Sequence, residues 1–426
     1  MSKIGLIILV LIQIFTGEFN SVDLSEKKLP QGVLNVHRSI ADSVVNVKDH
    51  GAKGDGSNDD TQAIRSAMIY AKAHDQKVVY FPPGTYSIQE IGTKPGIIKL
   101  LNGISLTGAG PKDCHIVLSG GRFNPHSIFY QAWWEEPSVS HVIIQGINFN
   151  GNISKQKFEA SYQYGHALSI NNGKNIEVKN CKFENFRGDG LLFGDTFEPA
   201  LNARITMNVS VHDNEFFNIY REGTMFCCVN GASFFNNYVH GDGYLVGGVD
   251  IERHSDNETV LNVAVYNNTF DFRDGFGPVE RGNIVRYRRA VTMGYFYQGY
   301  KNGTVDSLSG HHQIYNNKIY QGQIDCFGHI NVTITGNNIK NSYEDLQGVS
   351  HISKPAINVS DARKTTGLKN VFVDHNTIIS AIPGNGIVFF KYSKISSMYN
   401  TFSGPNLGGV SLISSDGNVK LNKNGK

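Results

Sequence analysis

The sequence has no excess of charge of either sign: 39 Lys and Arg stand against 37 Asp and Glu, a formal net charge of +2. That balance argues against a nucleic-acid partner, which a concentrated basic surface would serve. Cysteine is scarce. The residues Cys114, Cys181, Cys227, Cys228 and Cys326 are odd in number and widely spaced, with no Cys-x-x-Cys and no His/Cys cluster. This excludes a disulfide framework and a structural zinc site, and leaves them as small buried apolar side chains. A glycine-rich phosphate loop, a serine elbow and a metal-binding helix are also missing. Beyond the first twenty residues no stretch is apolar enough to span a bilayer.

Those first residues read as a targeting segment. Lys3 precedes an apolar run over residues 4–15, then small Thr16 and Gly17 before Glu18. The run is shorter than a membrane span and fits a cleaved signal peptide, residues 1–17, better than an uncleaved anchor. Residues 18–42 form an irregular N-terminal arm and 43–426 the folded domain. The expected product is secreted, extracellular or periplasmic, with no membrane partner after cleavage. Asn-x-Ser/Thr sequons at Asn152, Asn208, Asn257, Asn267, Asn302, Asn331 and Asn358 bear on this only in a eukaryotic source.

What is abundant is glycine, 46 residues, together with asparagine, a composition for short strands and tight turns. Order is expected from the Val44–Val47 string onward. From Gly51 the chain reads GAKGDGSNDDTQAIRSAMIYAKAHDQKVVYFPPGTYSI: a Gly-rich turn, a helix with Ala63, Ile64, Ala67 and Met68 at helical spacing, a strand over residues 78–81 and a Pro-Pro-Gly turn. Asp59 or Asp60 is placed to cap that helix. The string resembles the opening segment of the pectate-lyase-like superfamily, which includes polygalacturonases and phage tailspike depolymerases. In that group the segment leads into the first coil of a right-handed β-helix, and its Asp pair is structural. The resemblance covers about forty residues and implies a fold rather than one activity.

Independently of that segment, a unit of the form Asn-Val-x-Val-x-x-Asn-x-apolar recurs. Its copies end at Phe149, Phe183, Phe216, Val239, Phe270, Ile319, Ile339, Ile378 and Phe402. The shortest spacings, 20, 23 and 24 residues, approximate one coil; longer ones require an insertion or an extra rung. Alternation within each copy buries every second side chain, and an asparagine at one place per turn can form a ladder. The expected fold is all-β: a single-stranded right-handed parallel β-helix with a short N-terminal capping helix.

A solenoid turns equivalent sequence positions into vertical neighbours about 4.8 Å apart. The sixth residue after the unit's final apolar residue is acidic at Asp189, Glu222, Asp325 and Asp345. The alternative to chemistry is that Asp-Gly and Glu-Gly merely fill turns. In GGVDIERHSDN, inward Val249 and Ile251 would put Asp250 and Glu252 together on the outer face. That is either a solvated surface or a carboxyl pair of the kind glycoside hydrolysis uses. His254 is a candidate proton carrier, and Arg253 a candidate partner for a uronate or an acid. The candidate catalytic residues are Asp250, Glu252, Glu222, Asp189 and His254. The longest interruption, between Phe270 and Ile319, concentrates arginines and aromatics. From it come the candidate substrate-binding residues Arg286, Tyr287, Arg288, Arg289 and Tyr297, beside Arg253. Tyr162, Tyr164, His166, Trp133 and Trp134 are candidates for a groove rim.

The Asn-Thr-Asp, Asp-Asp, Gly-His-Gly and Arg-Ile-Lys strings of polygalacturonases do not occur at suitable places, which disfavours pectin hydrolysis by that set. Asp374-His375 resembles part of a string of calcium-dependent pectate lyases but falls inside a repeat copy. The partner expected is a polysaccharide, and the expected function a glycoside hydrolase on a neutral or acidic glycan. The alternatives are a lyase or epimerase on uronates, a lyase using calcium if any cofactor is used, and a non-catalytic carbohydrate-binding or adhesion solenoid. A trimer is compatible with such a fold.

Overall fold

The computed structural model describes residues 44–89, 95–132, 138–159, 162–194, 204–241, 247–254, 258–273, 279–280, 283–284, 288–295, 308–341, 355–360, 370–381, 384–390, 394–404, 407–414 and 418–421. They form a right-handed parallel β-helix. Three long sheets of 14, 12 and 11 strands run the length of the solenoid, each coil giving a strand to each sheet, and one two-stranded antiparallel pair lies outside them. The cavity-bearing face belongs to the third, 11-stranded sheet. The N-terminal end is covered by α1 (Thr61–Ala73), which buries Ile64, Ala67, Met68 and Ala71. No helix among the described residues is long and apolar enough to cross a membrane.

The Asp pair beside α1 is structural, with divided labour. Asp59 Oδ1 accepts the Thr61 and Gln89 amides. Asp60 is buried and accepts the amides of Lys53, Gly54 and Ser87, tying the glycine-rich turn to the next coil without capping the helix through its side chain.

The repeat units are in register. Phe149, Phe183, Phe216, Val239, Phe270, Ile319, Ile339, Ile378 and Phe402 pair directly, each with the next, along the second sheet. Long spacings are therefore insertions and not extra rungs. Tyr86 and Ile116 extend the same column toward the N-terminus, two coils that carry no recognisable copy of the unit. Inside, Phe149, Phe183 and Phe216 stack at 5.2 and 5.1 Å between ring centres. All five cysteines are buried and free; burial raises the Cys114 and Cys181 thiols to about 12.

The asparagine ladder runs at the turn between the first and second sheets. Asn214, Asn237, Asn268, Asn317, Asn337, Asn376 and Asn400 each send the side-chain amide back to a carbonyl of the preceding coil. Each but the last also donates to the next asparagine's Oδ1, at 2.9–3.2 Å. The residue before each ladder position is left-handed, as at Asn236, Asn267 and Asn316 (φ 54 to 56°), which explains the Asn-Asn doublets. Cys181 occupies the first ladder position, its amide received by Asn214 Oδ1. His375, the residue matched to the lyase string, is one of the left-handed turn residues, and Asp374 accepts the Met398 amide at 2.7 Å. Both belong to the scaffold at this turn.

Candidate active site on the third sheet

Alternation over residues 249–253 decides which side chains face out. Val249 and Ile251 are fully buried in the core, so Asp250 and Glu252 project to the outer face. Neither is a solvated surface charge: Asp250 is only 9% exposed and the Glu252 side chain 15%. Arg253 shares the parity of Val249 and Ile251. It turns inward, 2% exposed, toward Ser309 Oγ at 3.4 Å, so it cannot meet substrate in the groove. Arg288 is likewise buried, its guanidinium 5.8 Å from the Phe272 ring centre, and is not a groove residue. Arg289 does face out, half-exposed, its Nε 3.2 Å from Asp325 Oδ2. Arg286, Tyr287, Tyr297, Asp345, Trp133 and Trp134 lie outside the described residues.

Register sorts the acids into two columns. Leu191–Phe193 pairs with Glu222–Phe226 so that Asp189 precedes Glu222 by one coil, and Glu222 pairs with Gly247. Asp250 pairs with Met225 on one side and Thr292 on the other, and Thr292 with Asp325. Asp325 thus stands below Asp250, in a different column from Asp189 and Glu222, with which the sequence spacing grouped it. The irregular register between Arg289 and Val291 accounts for part of that shift.

Asp189 is completely buried. Its Oδ1 accepts the Glu222 amide at 3.1 Å, and Arg221 lies 3.5 Å from Oδ2. Burial opposes its ionisation, but Arg221, His166 and the Glu222 amide outweigh it and hold the carboxyl below its usual range. Asp189 lies behind Glu222 in the fold and holds its backbone amide. The amide of Asp189 donates to His166 Nδ1 at 2.8 Å. Nδ1 also lies 3.2 Å from Asp189 Oδ2; the shorter amide contact uses the Nδ1 lone pair, so the proton of neutral His166 resides on Nε2.

Glu222 and Asp250 differ from Asp189 in the opposite direction. Burial comes first, then Asp250 and Asp189 acting on Glu222, and Glu252 acting on Asp250; both carboxyls are pushed well above their usual range. Arg221 is raised despite burial by Asp189, Glu222 and Asp250 around it. The Glu222 carboxyl fits only because Gly247 has no side chain: a Cβ there would lie 1.8 Å from Glu222 Oε2. His254 Nε2 is 3.7 Å from Glu252 Oε2 and 4.0 Å from Cys227 Sγ. An open cavity of about 250 Å³, its mouth included, is lined by Tyr164, His166, Arg221, Met225 and His254 among others.

Asp189, Glu222 and Asp250 thus act on one cation, Arg221, that the sequence did not single out, while Glu252 pairs with His254. Arg221 immediately precedes Glu222 in the YREGTMF string, but nothing in the spacing showed that it would be enclosed by carboxyls from three coils. Among the described residues no group of three or more His, Cys, Asp or Glu side chains is arranged to hold a metal ion.

Comparison with known proteins identifies the fold and the family. Mannuronan C5-epimerase AlgE3 of Azotobacter vinelandii is 27% identical over 202 residues, 46% of this chain and 11% of the epimerase. Plasmin and fibronectin-binding protein A of Streptococcus pneumoniae is 30% identical over 181 residues, 35% of this chain and 25% of that protein. The matches thus span a quarter or less of these relatives' length. The solved A-module of the A. vinelandii epimerase AlgE6 superposes with a TM-score of 0.60 at 19% identity, covering 88% of this chain and 99% of the module, which shows a shared fold. Residues 44–271, more than half the chain, match the family described as rhamnogalacturonase A/epimerase, pectate lyase-like, and the chain belongs to that family.

Proposed function

We propose that the chain is an exported enzyme acting on an acidic polysaccharide, and that it removes the C5 proton of a uronate residue, leading to cleavage or epimerisation. The observation that carries this reading is Arg221, a quarter exposed and 3.5 Å from Asp189 Oδ2, whose charge Asp189, Glu222 and Asp250 favour and which lines the same cavity as Tyr164, His166 and His254. A cation beside ionised Asp189 and two carboxyls biased toward their neutral form receives a sugar carboxylate and stabilises the charge that develops beside C5. Similarity to a mannuronan C5-epimerase supports the substrate class, and the apolar run at residues 4–15 supports export.

In this mechanism the C5–H bond breaks and its proton passes to His254, whose charge Glu252 offsets. Arg221 and the protonated Glu222 hold the uronate carboxylate. His166 Nε2, buried and without a hydrogen-bond partner, donates from the cavity wall. For cleavage, the C4–O bond breaks as a C4–C5 double bond forms, and the leaving oxygen takes the proton of the Asp250 carboxyl, which burial biases toward its neutral form. For epimerisation, a proton returns to the opposite face of C5 and no bond to the polymer is lost.

One observation favours hydrolysis as a second reading. Asp250 Oδ1 and Glu252 Oε1 both lie 3.7 Å from one point above Gly294, a convergence that an acid and a base or nucleophile would need. A panel of polymannuronate, polyguluronate, polygalacturonate and neutral glucans in deuterated water separates the outcomes. Ultraviolet-absorbing unsaturated ends mark a lyase, and deuterium at C5 without them marks an epimerase. New reducing ends with neither mark a hydrolase and overturn the preferred reading, as does binding without any product.

A further inference from the structure

One arginine stands a coil before Asp250 and another a coil after it, and the protein holds them differently. Arg221, a quarter exposed, is 3.5 Å from Asp189 Oδ2 and donates to the Gln163 carbonyl at 3.3 Å. Arg289 is half-exposed, and among the described residues its one ion-pair partner is Asp325, whose Oδ2 lies 3.2 Å from Nε. Asp325 is fully buried and receives the side-chain amides of Gln323 and Asn358. A carboxylate fixed in this way orients the guanidinium through its Nε edge. The Nη1–Nη2 edge keeps a planar pair of donors, the shape that meets a second carboxylate with two parallel hydrogen bonds. A long side chain already held loses less freedom on binding than a free surface cation, which favours recognition.

Register aligns Arg289 with the acid column: Glu222 pairs with Gly247, and Gly247 with Arg289. Gly247 has no side chain, and the Glu222 carboxyl fills the space one would take. Glu222 therefore leans toward the coil of Arg289, whose positive charge reaches it. Along the sheet the order is Arg221, then Glu222 and Asp250, then Arg289. Two coils separate the arginines, a rise of about 9.6 Å. A 1,4-linked sugar lengthens an extended polymer by close to one coil's rise, so two coils match two sugars. In a two-fold extended chain, sugars two apart turn their carboxylates to the same side.

We propose that Arg289 is a second carboxylate-binding subsite, taking the uronate two sugars away from the one held at Arg221. The substrate is then a run of at least three sugars with acidic units at both ends, rather than an isolated uronate in a neutral chain. The proposal rests on the uronate reading of the Arg221 site. Its test is calorimetric titration of di- and trimeric mannuronates and galacturonates, with cellotriose as the neutral control. Wild type, Arg289→Gln and Arg289→Lys are compared at a temperature where circular dichroism shows all three folded. Wild-type affinity for an acidic oligomer rises about tenfold or more from dimer to trimer, and the step shrinks with added salt. Arg289→Gln removes that step, so dimer and trimer bind it alike, and Arg289→Lys, which keeps the charge without the fork, restores part of it. A step that persists in Arg289→Gln, or that the wild type never shows, overturns the subsite and leaves the uronate reading standing. Absence of wild-type binding to every acidic oligomer, or equal binding of cellotriose, overturns the uronate reading and the subsite with it.

Discussion

Two columns of polar side chains climb this solenoid, and they are satisfied to different degrees. At the asparagine turn every ladder amide meets a carbonyl of the preceding coil, and all but the last also meet the next asparagine. On the third sheet, by contrast, Glu222 Oε2, Asp250 Oδ1, Thr224 Oγ1, Thr292 Oγ1 and His166 Nε2 are buried without a hydrogen-bond partner. The same stacking that strengthens one corner concentrates unmet hydrogen-bonding capacity at the other. Unpaired buried polar groups are destabilising, so the third-sheet column costs stability where the completed ladder adds it.

The sharpest way to break this comparison is Asp250→Asn. The isosteric amide replaces a carboxyl already biased toward its neutral form, so the fold is retained while turnover on the active polysaccharide falls roughly a hundred- to ten-thousand-fold. Equal turnover by the variant would remove Asp250 from the chemistry. The reciprocal change, Asn317→Ala, strands the Asn268 amide and removes two donations from Asn317 itself. A loss of about 2–4 kcal/mol in denaturant unfolding is expected, with unchanged activity per folded molecule.

A smaller effect separates the columns by pH. Glu222 and Asp250 lie above their ordinary 4.5 and 3.8, so the folded chain keeps protons that the unfolded chain has released. Stability therefore falls as pH rises through the window that opens at those values. His312 has the opposite sign: burial, then His329, holds it well below 6.5, so stability is lost as pH falls below that value. Melting temperature measured between about pH 5 and 8 should lose its decline toward alkaline pH in Glu222→Gln/Asp250→Asn and retain its acid-side fall. A ladder variant such as Asn317→Ala should shift the whole curve down without changing its shape.

Much of the fold was legible because a solenoid repeats one local solution. The final apolar residue of each unit recurs, the Asn doublet encodes a left-handed residue followed by a ladder residue, and alternation puts Val249 and Ile251 inside. The first two coils were not legible as units, because Tyr86 and Ile116 fill the same column without the surrounding pattern. Within the site, alternation correctly sent Asp250 and Glu252 outward, and the same rule applied one residue further would have sent Arg253 inward. Its charge suggested a ligand contact that its parity forbids.

By itself, then, the sequence determined the coil, its register along the second sheet and the face from which the acids project, since these follow from periods of two residues and one turn. Only the tertiary structure decided that the Asp189 carboxyl is held below its usual range while those of Glu222 and Asp250 are held above theirs. It also decided that Asp325 leaves the first acid column and that Arg221 is the cation on which Asp189, Glu222 and Asp250 act. Those properties depend on how insertions shift the third sheet from coil to coil and on how much water each carboxyl keeps. Neither quantity is local to any stretch of the chain.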